Sequence, residues 1–287
     1  MMHTAYTLGR PRPCTTSVVF ASPHSGRAYS QDFLRATILD THTIRSSEDA
    51  FVDELIACAP RHGAQTIAAT APRAYIDLNR NSDELDPAVV SGLRRVTHNP
   101  RISSGLGVVP RVVANGRAIY RGKLHLNEAK ARLDAYWHPY HDQLRRMLDM
   151  TRNSFGQAIL VDCHSMPHEA IDALHQHSDE RPDVVLGDRF GAAAAAHVVD
   201  HIEAAFTNAG LRVARNAPFA GAFIAQHYGR PSRNQHVVQI EIDRALYMDE
   251  ERIERGPQFR GFQRLMEQVI AEIAGFGRAS QVPLAAE

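Results

Sequence analysis

Four residues far apart in the chain are of the types that hold a divalent metal and move a proton: His24, Asp49, His164 and Glu241. Ile159-Leu-Val-Asp-Cys-His-Ser-Met-Pro167 reads as a buried strand running out into a loop, with His164 at its carboxyl end. Open α/β sheets bind their ligands at that end. Side chains alternate along a strand, so Asp162 and His164 share one face and Cys163 takes the other. His164 is therefore a candidate metal ligand with Asp162 behind it, although a lone histidine has no ligand spacing and reads equally well as a core residue. Ser17 to Ser22 reads as a first strand that ends in Pro23-His24-Ser25-Gly26, a turn sequence giving His24 the same placement.

The carboxylates come from patterning. Glu48 to Arg61 reads as an amphipathic helix with Phe51, Val52, Leu55, Ile56 and Ala59 as its stripe and Gly63 as its stop. Asp49 and Asp53 then lie four apart near its start, where like charges repel by a few tenths of a kcal/mol. A surface pair tolerates that; a cation in front of Asp49 explains the choice better. In His236 to Asp243, Val238, Ile240 and Ile242 face one way and Gln239, Glu241 and Asp243 the other. A carboxylate in the middle of such a strand is costly unless paired or used, which singles out Glu241. Two histidines at strand ends, an acid on a helix start and a carboxylate on a later strand match a catalytic zinc site: three ligands, an open position and a general base. The chain has no H-E-x-x-H, no G-x-S-x-G, no Walker A and no G-x-G-x-x-G after a strand.

These residues need a scaffold. Gln65 to Thr70 is a second strand leading into Ala71 to Arg80, and Asn81 to Leu126 is irregular, with a small hairpin from Gly107 to Tyr120. Asn127 caps a helix that runs through Trp137 towards Met150, bent at His138-Pro139. Asp183 to Gly187 is a strand, Phe190 to Ala209 a helix stopped by Gly210, and Leu211 to Arg215 and Ala222 to Tyr228 are further strands. His175 and His177 read as loop histidines, and Asp249 caps C-terminal helices split at Gly256-Pro257 and ending near Gly275. Strands alternating with helices, without repeats or a Gly/Ser linker, indicate one domain over residues 1–287: a three-layer α/β/α sandwich on a mixed, mainly parallel sheet.

Composition removes other classes. The 287 residues carry 32 basic and 32 acidic side chains and 44% apolar residues, enough for a proper core. No basic run or aromatic-interleaved patch is present, so nucleic acid is not an expected partner. No stretch approaches the ~18 apolar residues of a membrane span and no apolar leader opens the chain, which points to a cytoplasmic protein. Cys14, Cys58 and Cys163 lack C-x-x-C spacing and read as reduced thiols. Lys123 and Lys130 are the only lysines, so the cations are almost all arginine, the better bidentate binder of carboxylates.

Six motifs in order, Ser22-Pro-His-Ser-Gly26, Glu48-Asp-Ala-Phe-Val-Asp53, Tyr75-Ile-Asp-Leu-Asn-Arg80, Asp162-Cys-His-Ser165, Gly221 to Pro231, and Val238-Gln-Ile-Glu-Ile-Asp243 through Asp249, resemble the N-formylglutamate amidohydrolase family. Asp77-Leu-Asn-Arg80 is also similar to the substrate-binding motif of the aspartoacylase and succinylglutamate desuccinylase zinc hydrolases. The resemblance implies a zinc-exopeptidase-like fold, one zinc ion per chain, and hydrolysis of N-formyl-L-glutamate to formate and glutamate in histidine degradation. It makes His24 and His164 zinc ligands and Glu241 the catalytic carboxylate. Arg27 stands where related zinc exopeptidases often place a glutamate, so Asp49 is taken as third ligand, with Asp53 or Glu48 in reserve. Arg80 with Asn79 beside it, and Arg230 in Tyr-Gly-Arg-Pro, are the expected forks for the two carboxylates of a small N-acyl amino acid, with Arg73 next in line. Competing readings are a zinc amidohydrolase of another N-acyl amino acid, a thiol amidase using Cys163, and a non-catalytic metal or amino-acid binding module on the same fold.

Overall fold

The computed structural model describes residues 4–93, 100–172 and 181–278. Its centre is a seven-stranded sheet of β1 (Tyr6–Gly9), β2 (Val18–Ser22), β3 (Gln65–Ala69), β4 (Ala158–Met166), β5 (Val184–Gly187), β6 (Val213–Arg215) and β7 (Gln235–Asp243), in the order β1-β3-β2-β4-β7-β5-β6. Strands β3, β2, β4 and β7 run parallel; β1 and β5 pair antiparallel with β3 and β7, and β6 runs parallel to β5. The sheet is thus mixed and mainly parallel. Every residue of β4 and β7 is buried, as expected of central strands covered on both faces.

Alternation sorts the two faces. Val18, Phe20, Ile159, Val161, Cys163, Val238, Ile240 and Ile242 pack in one cluster with helices Ala196–Asn208 and Phe259–Phe276. Val19, Ala21, Leu160 and Val237 pack on the other side with residues of helices α1 (His138–Phe155) and α2 (Phe223–Tyr228). Helices therefore cover both faces, making three layers. Towards the carboxyl ends of β4 and β7 the second face turns polar, with Asp162, His164, Gln239 and Glu241. Burial of each branched side chain on the first face contributes about 1.5–3 kcal/mol, which offsets the cost of burying polar groups behind it.

The structure departs from the sequence expectations where local conformation overrides periodicity. Glu48 to Arg61 is not one helix but a four-residue turn of helix, Val52–Leu55, followed by a 3₁₀ turn, Ala59–His62. Phe51 is left-handed (φ 66°) and breaks the run, although Val52, Leu55, Ile56 and Ala59 are buried as the stripe required. Residues 223–228 form a helix rather than a strand, and the helix expected from Phe190 starts only at Ala196 because Arg189, Phe190 and Gly191 are all left-handed. Asp249 caps no helix: Met248–Asp249 pairs with Glu254–Arg255, and Asp249 accepts from the Arg252 N–H inside that turn. His125, not Asn127, caps the next helix, which passes through a π turn over Leu133–Trp137 just before Pro139. The Gly107 to Tyr120 hairpin reduces to a bridge between Val112 and Ala118, and β1 was not anticipated. His175 and His177 lie outside the described residues.

Candidate active site

The carboxyl ends of the four parallel strands bring His24, Asp49 and His164 together, all buried, with one ligand atom from each lying within 4.8 Å of the others. His24 follows β2 in a turn closed by Ser22 Oγ donating to Ser25 Oγ at 2.8 Å. Gly26 is required there: a Cβ would stand 2.1 Å from the Ala71 carbonyl oxygen. Asp49 is held by its backbone, since its N–H donates to the His24 carbonyl at 3.1 Å. His164 is still inside β4 and sits in register with Glu241 on β7, so both project on one face. Asp53, the rival third ligand, instead takes a surface ion pair with Arg27, and Glu48 pairs with Arg45.

Hydrogen bonds fix the imidazoles. His24 Nε2 lies 2.7 Å from Asp77 Oδ1 and His164 Nε2 lies 3.0 Å from Asp162 Oδ2. Ionised carboxylates only accept, so both Nε2 atoms carry a proton and both Nδ1 atoms are turned towards Asp49. The two Nδ1 atoms are 3.1 Å apart, and Asp49 Oδ2 lies 3.0 Å from that of His164 and 3.4 Å from that of His24. As bare lone pairs the three atoms would repel at this spacing, so either a proton on His164 Nδ1 or a metal cation lies between them. Tetrahedral zinc with bonds of about 2.0–2.1 Å separates its ligand atoms by about 3.3 Å, so the residues fit such an ion. Carboxylates behind the histidines are the usual support of a metal site.

The other Asp49 oxygen, Oδ1, accepts from Arg244 Nη2 at 3.2 Å and Ser165 Oγ at 3.3 Å. Burial alone would raise the Asp49 carboxyl; hydrogen bonds and charge from His164 and His24 outweigh it and hold Asp49 well below the usual carboxylate range. Asp77 is likewise held low, against burial, by His24, Arg73 and Arg80. Glu241 goes the other way: burial first, then the charges of Asp49 and Asp162, push it up to about 7 despite His164 and Arg73. A carboxylate titrating near neutrality beside a cluster that could hold a metal is a candidate general base.

Above the cluster lies a cavity of about 550 Å³ lined by His24, His164, Glu241 and the arginines Arg73, Arg80, Arg101 and Arg244. Arg73 Nε donates to Asp77 Oδ2 at 3.1 Å, and Arg80 Nε to the Leu106 carbonyl at 2.9 Å. The Arg80 guanidinium is lowered by burial and then by repulsion from Arg73 and Arg101, the mark of a wall that favours an anion. Asn79 reaches this wall but points inward, its Oδ1 accepting from the Ile224 N–H at 2.7 Å. Arg230 does not reach it. It precedes β7, at the amino end of the sheet, is exposed, and donates to the Gln226 and Gly229 carbonyls. Cys163 is buried on the apolar face away from the cluster, and burial, then Asp162, pushes its thiol well up, which removes it as a nucleophile. Sequence reasoning missed Arg244, Arg101 and Gln239. Gln239 stood two residues before Glu241 on the same face, a usable signal; nothing local marks Arg101.

The profile of the family N-formylglutamate amidohydrolase matches residues 16–248. The chain is 30% identical over 236 residues to the N-formylglutamate deformylase of Pseudomonas putida, covering 81% of this chain and 82% of that one. It is 29% identical over 238 residues to the N-formylglutamate deformylase of Pseudomonas aeruginosa, covering 82% and 83%. The crystal structure of N-formylglutamate amidohydrolase from Ralstonia eutropha superposes with a TM-score of 0.89 at 34% identity, over 96% of this chain and 99% of that one.

Proposed function

The chain belongs to the N-formylglutamate amidohydrolase family, and from that premise we propose that it hydrolyses N-formyl-L-glutamate to formate and L-glutamate, the deformylating step of histidine degradation. In this reading one zinc ion would be held by His24, His164 and Asp49, and Glu241 is the general base. The observation that carries it is the convergence of those three potential ligand atoms beside a carboxylate raised to about 7.

When bound, the metal supplies a Lewis acid that acidifies water and polarises a carbonyl. Asp77 and Asp162 keep the imidazoles oriented, and Arg244 with Ser165 keeps Asp49 turned so that Oδ2 faces the histidines. Glu241 takes a proton from water as the new C–O bond forms on the formyl carbon, and delivers it to the amine nitrogen as the C–N bond breaks. The two carboxylates that formylglutamate keeps call for guanidinium partners, and of the four arginines on the cavity wall, Arg73 and Arg80 are assigned that role in this reading.

A second reading, hydrolysis of another N-acyl amino acid, is favoured by the room in a cavity of about 550 Å³. Product release from N-formyl-L-glutamate, N-formyl-L-methionine, N-acetyl-L-glutamate and N-succinyl-L-glutamate decides between them. The highest kcat/KM on formylglutamate supports the first; a higher value on a longer acyl group replaces it with the second.

A further inference from the structure

We infer that Gln239 is a positioning residue for the Glu241 carboxylate, and that Asn79 together with two backbone N–H groups fixes which end of its amide meets that carboxylate. The inference deepens the proposed reaction and rests on Glu241 acting as its base.

The hydrogen bonds leave one orientation. The Ile224 N–H donates at 2.7 Å to Asn79 Oδ1, so the Asn79 nitrogen must point the other way, where Nδ2 lies 3.3 Å from Gln239 Oε1. The Ala222 N–H donates to the same Oε1 at 3.0 Å. With its oxygen taken by two donors, Gln239 turns Nε2 onto Glu241 Oε1 at 2.8 Å. Flipping the Gln239 amide would set N–H groups against N–H groups and an oxygen against a carboxylate. The backbone donors are in turn placed by close packing: Gly221 is left-handed (φ 104°), and a Cβ on Gly187 would stand 2.6 Å from the Gly221 nitrogen. Gln239 and Asn79 are 4% and 2% exposed, so water does not replace these partners.

The consequence is directional. Oε1 of Glu241 is held, and Oε2, which has no hydrogen-bond partner among the described residues, is the oxygen left to accept a proton in the cavity. A base held by one oxygen keeps its other oxygen at a fixed bearing to the reacting water, and misplacing such a group by about 1 Å costs on the order of 10²-fold in rate. Asn79, expected from its motif to touch substrate, serves here as the second link of this chain.

The test is a double-variant cycle on the metal-replete protein with N-formyl-L-glutamate, using Gln239→Met, Glu241→Gln and both together, with metal content measured for each. Gln239→Met should lower kcat by about 10- to 100-fold with KM and metal content little changed, and should add nothing once Glu241 is already Gln. Effects that multiply in the double variant, or a near wild-type kcat in Gln239→Met, overturn the inference. Should Gln239→Met fail to fold, Gln239→Glu keeps an oxygen for the Ala222 N–H while setting carboxylate against carboxylate; undiminished kcat in that variant overturns the inference equally. Full turnover in Glu241→Gln alone is a separate failure, that of the base itself, and overturns both.

Discussion

His141 and His164 lie on the same side of the sheet at almost the same depth, 1% and 2% exposed, yet the chain treats them oppositely. His141 Nε2 donates to the Leu78 carbonyl and Nδ1 meets the Tyr228 hydroxyl, both at 2.9 Å. With neutral partners, burial pushes its pKa down to about 3, and it stays uncharged, a link between α1, α2 and the loop after β3. Around His164, burial pulls the same way, but Asp162, then Asp49 and Glu241, reverse it and lift the imidazole well above its ordinary value. Burial therefore does not tell a structural histidine from a functional one. The partners set them apart, and carboxylates gathered at buried imidazoles are the surroundings usual for metal-ligating histidines.

Substitutions at His164 and its partners should have the largest effects. His164→Ala should abolish bound metal and formate release together, as elemental analysis against the one metal per chain expected of the wild type will show; full metal in that variant contradicts the ligand set. Glu241→Gln should keep the metal and lose about 10²–10⁴ in kcat, the usual share of proton transfer. Asp162→Asn leaves His164 in place but removes the charge behind it, and should weaken metal affinity by about 10- to 100-fold in a chelator competition.

At the weak end, His141→Gln should change kcat little and act on stability, because leaving the Leu78 carbonyl or Tyr228 hydroxyl unpartnered costs about 1–3 kcal/mol. The pH dependence has a definite sign. His141 binds a proton in the unfolded chain below its ordinary pKa of 6.5 but in the folded chain only below about 3, so its contribution is full above 6.5 and is lost as pH falls towards 3. Urea unfolding across that window should show a shallower loss with acid in His141→Gln than in the wild type. An equal slope in the two proteins means His141 is not the neutral residue described.

Much of this geometry was legible in the sequence. The β-branched and apolar runs at Val18, Ile159 and Val237 forecast β2, β4 and β7, and once strands are placed the period of two puts Asp162, His164, Gln239 and Glu241 on one face. Asp49 was named for the wrong local reason: burial at Val52, Leu55, Ile56 and Ala59 mimics a helical stripe, while a left-handed Phe51 breaks the helix and lets the Asp49 loop dock on the His24 carbonyl. The apolar run from Phe223 to Ala225 is too short for periodicity to separate strand from helix, and that error carried Arg230 to a site it does not reach. Arg244 and Arg101 arrive through tertiary packing, which no local pattern encodes.

A metal in the His24–Asp49–His164 cluster should be required for deformylation. Formate release from N-formyl-L-glutamate should vanish when the protein is stripped with a chelator and return in proportion to added zinc, levelling at one equivalent per chain. Undiminished formate release from metal-free protein would contradict it.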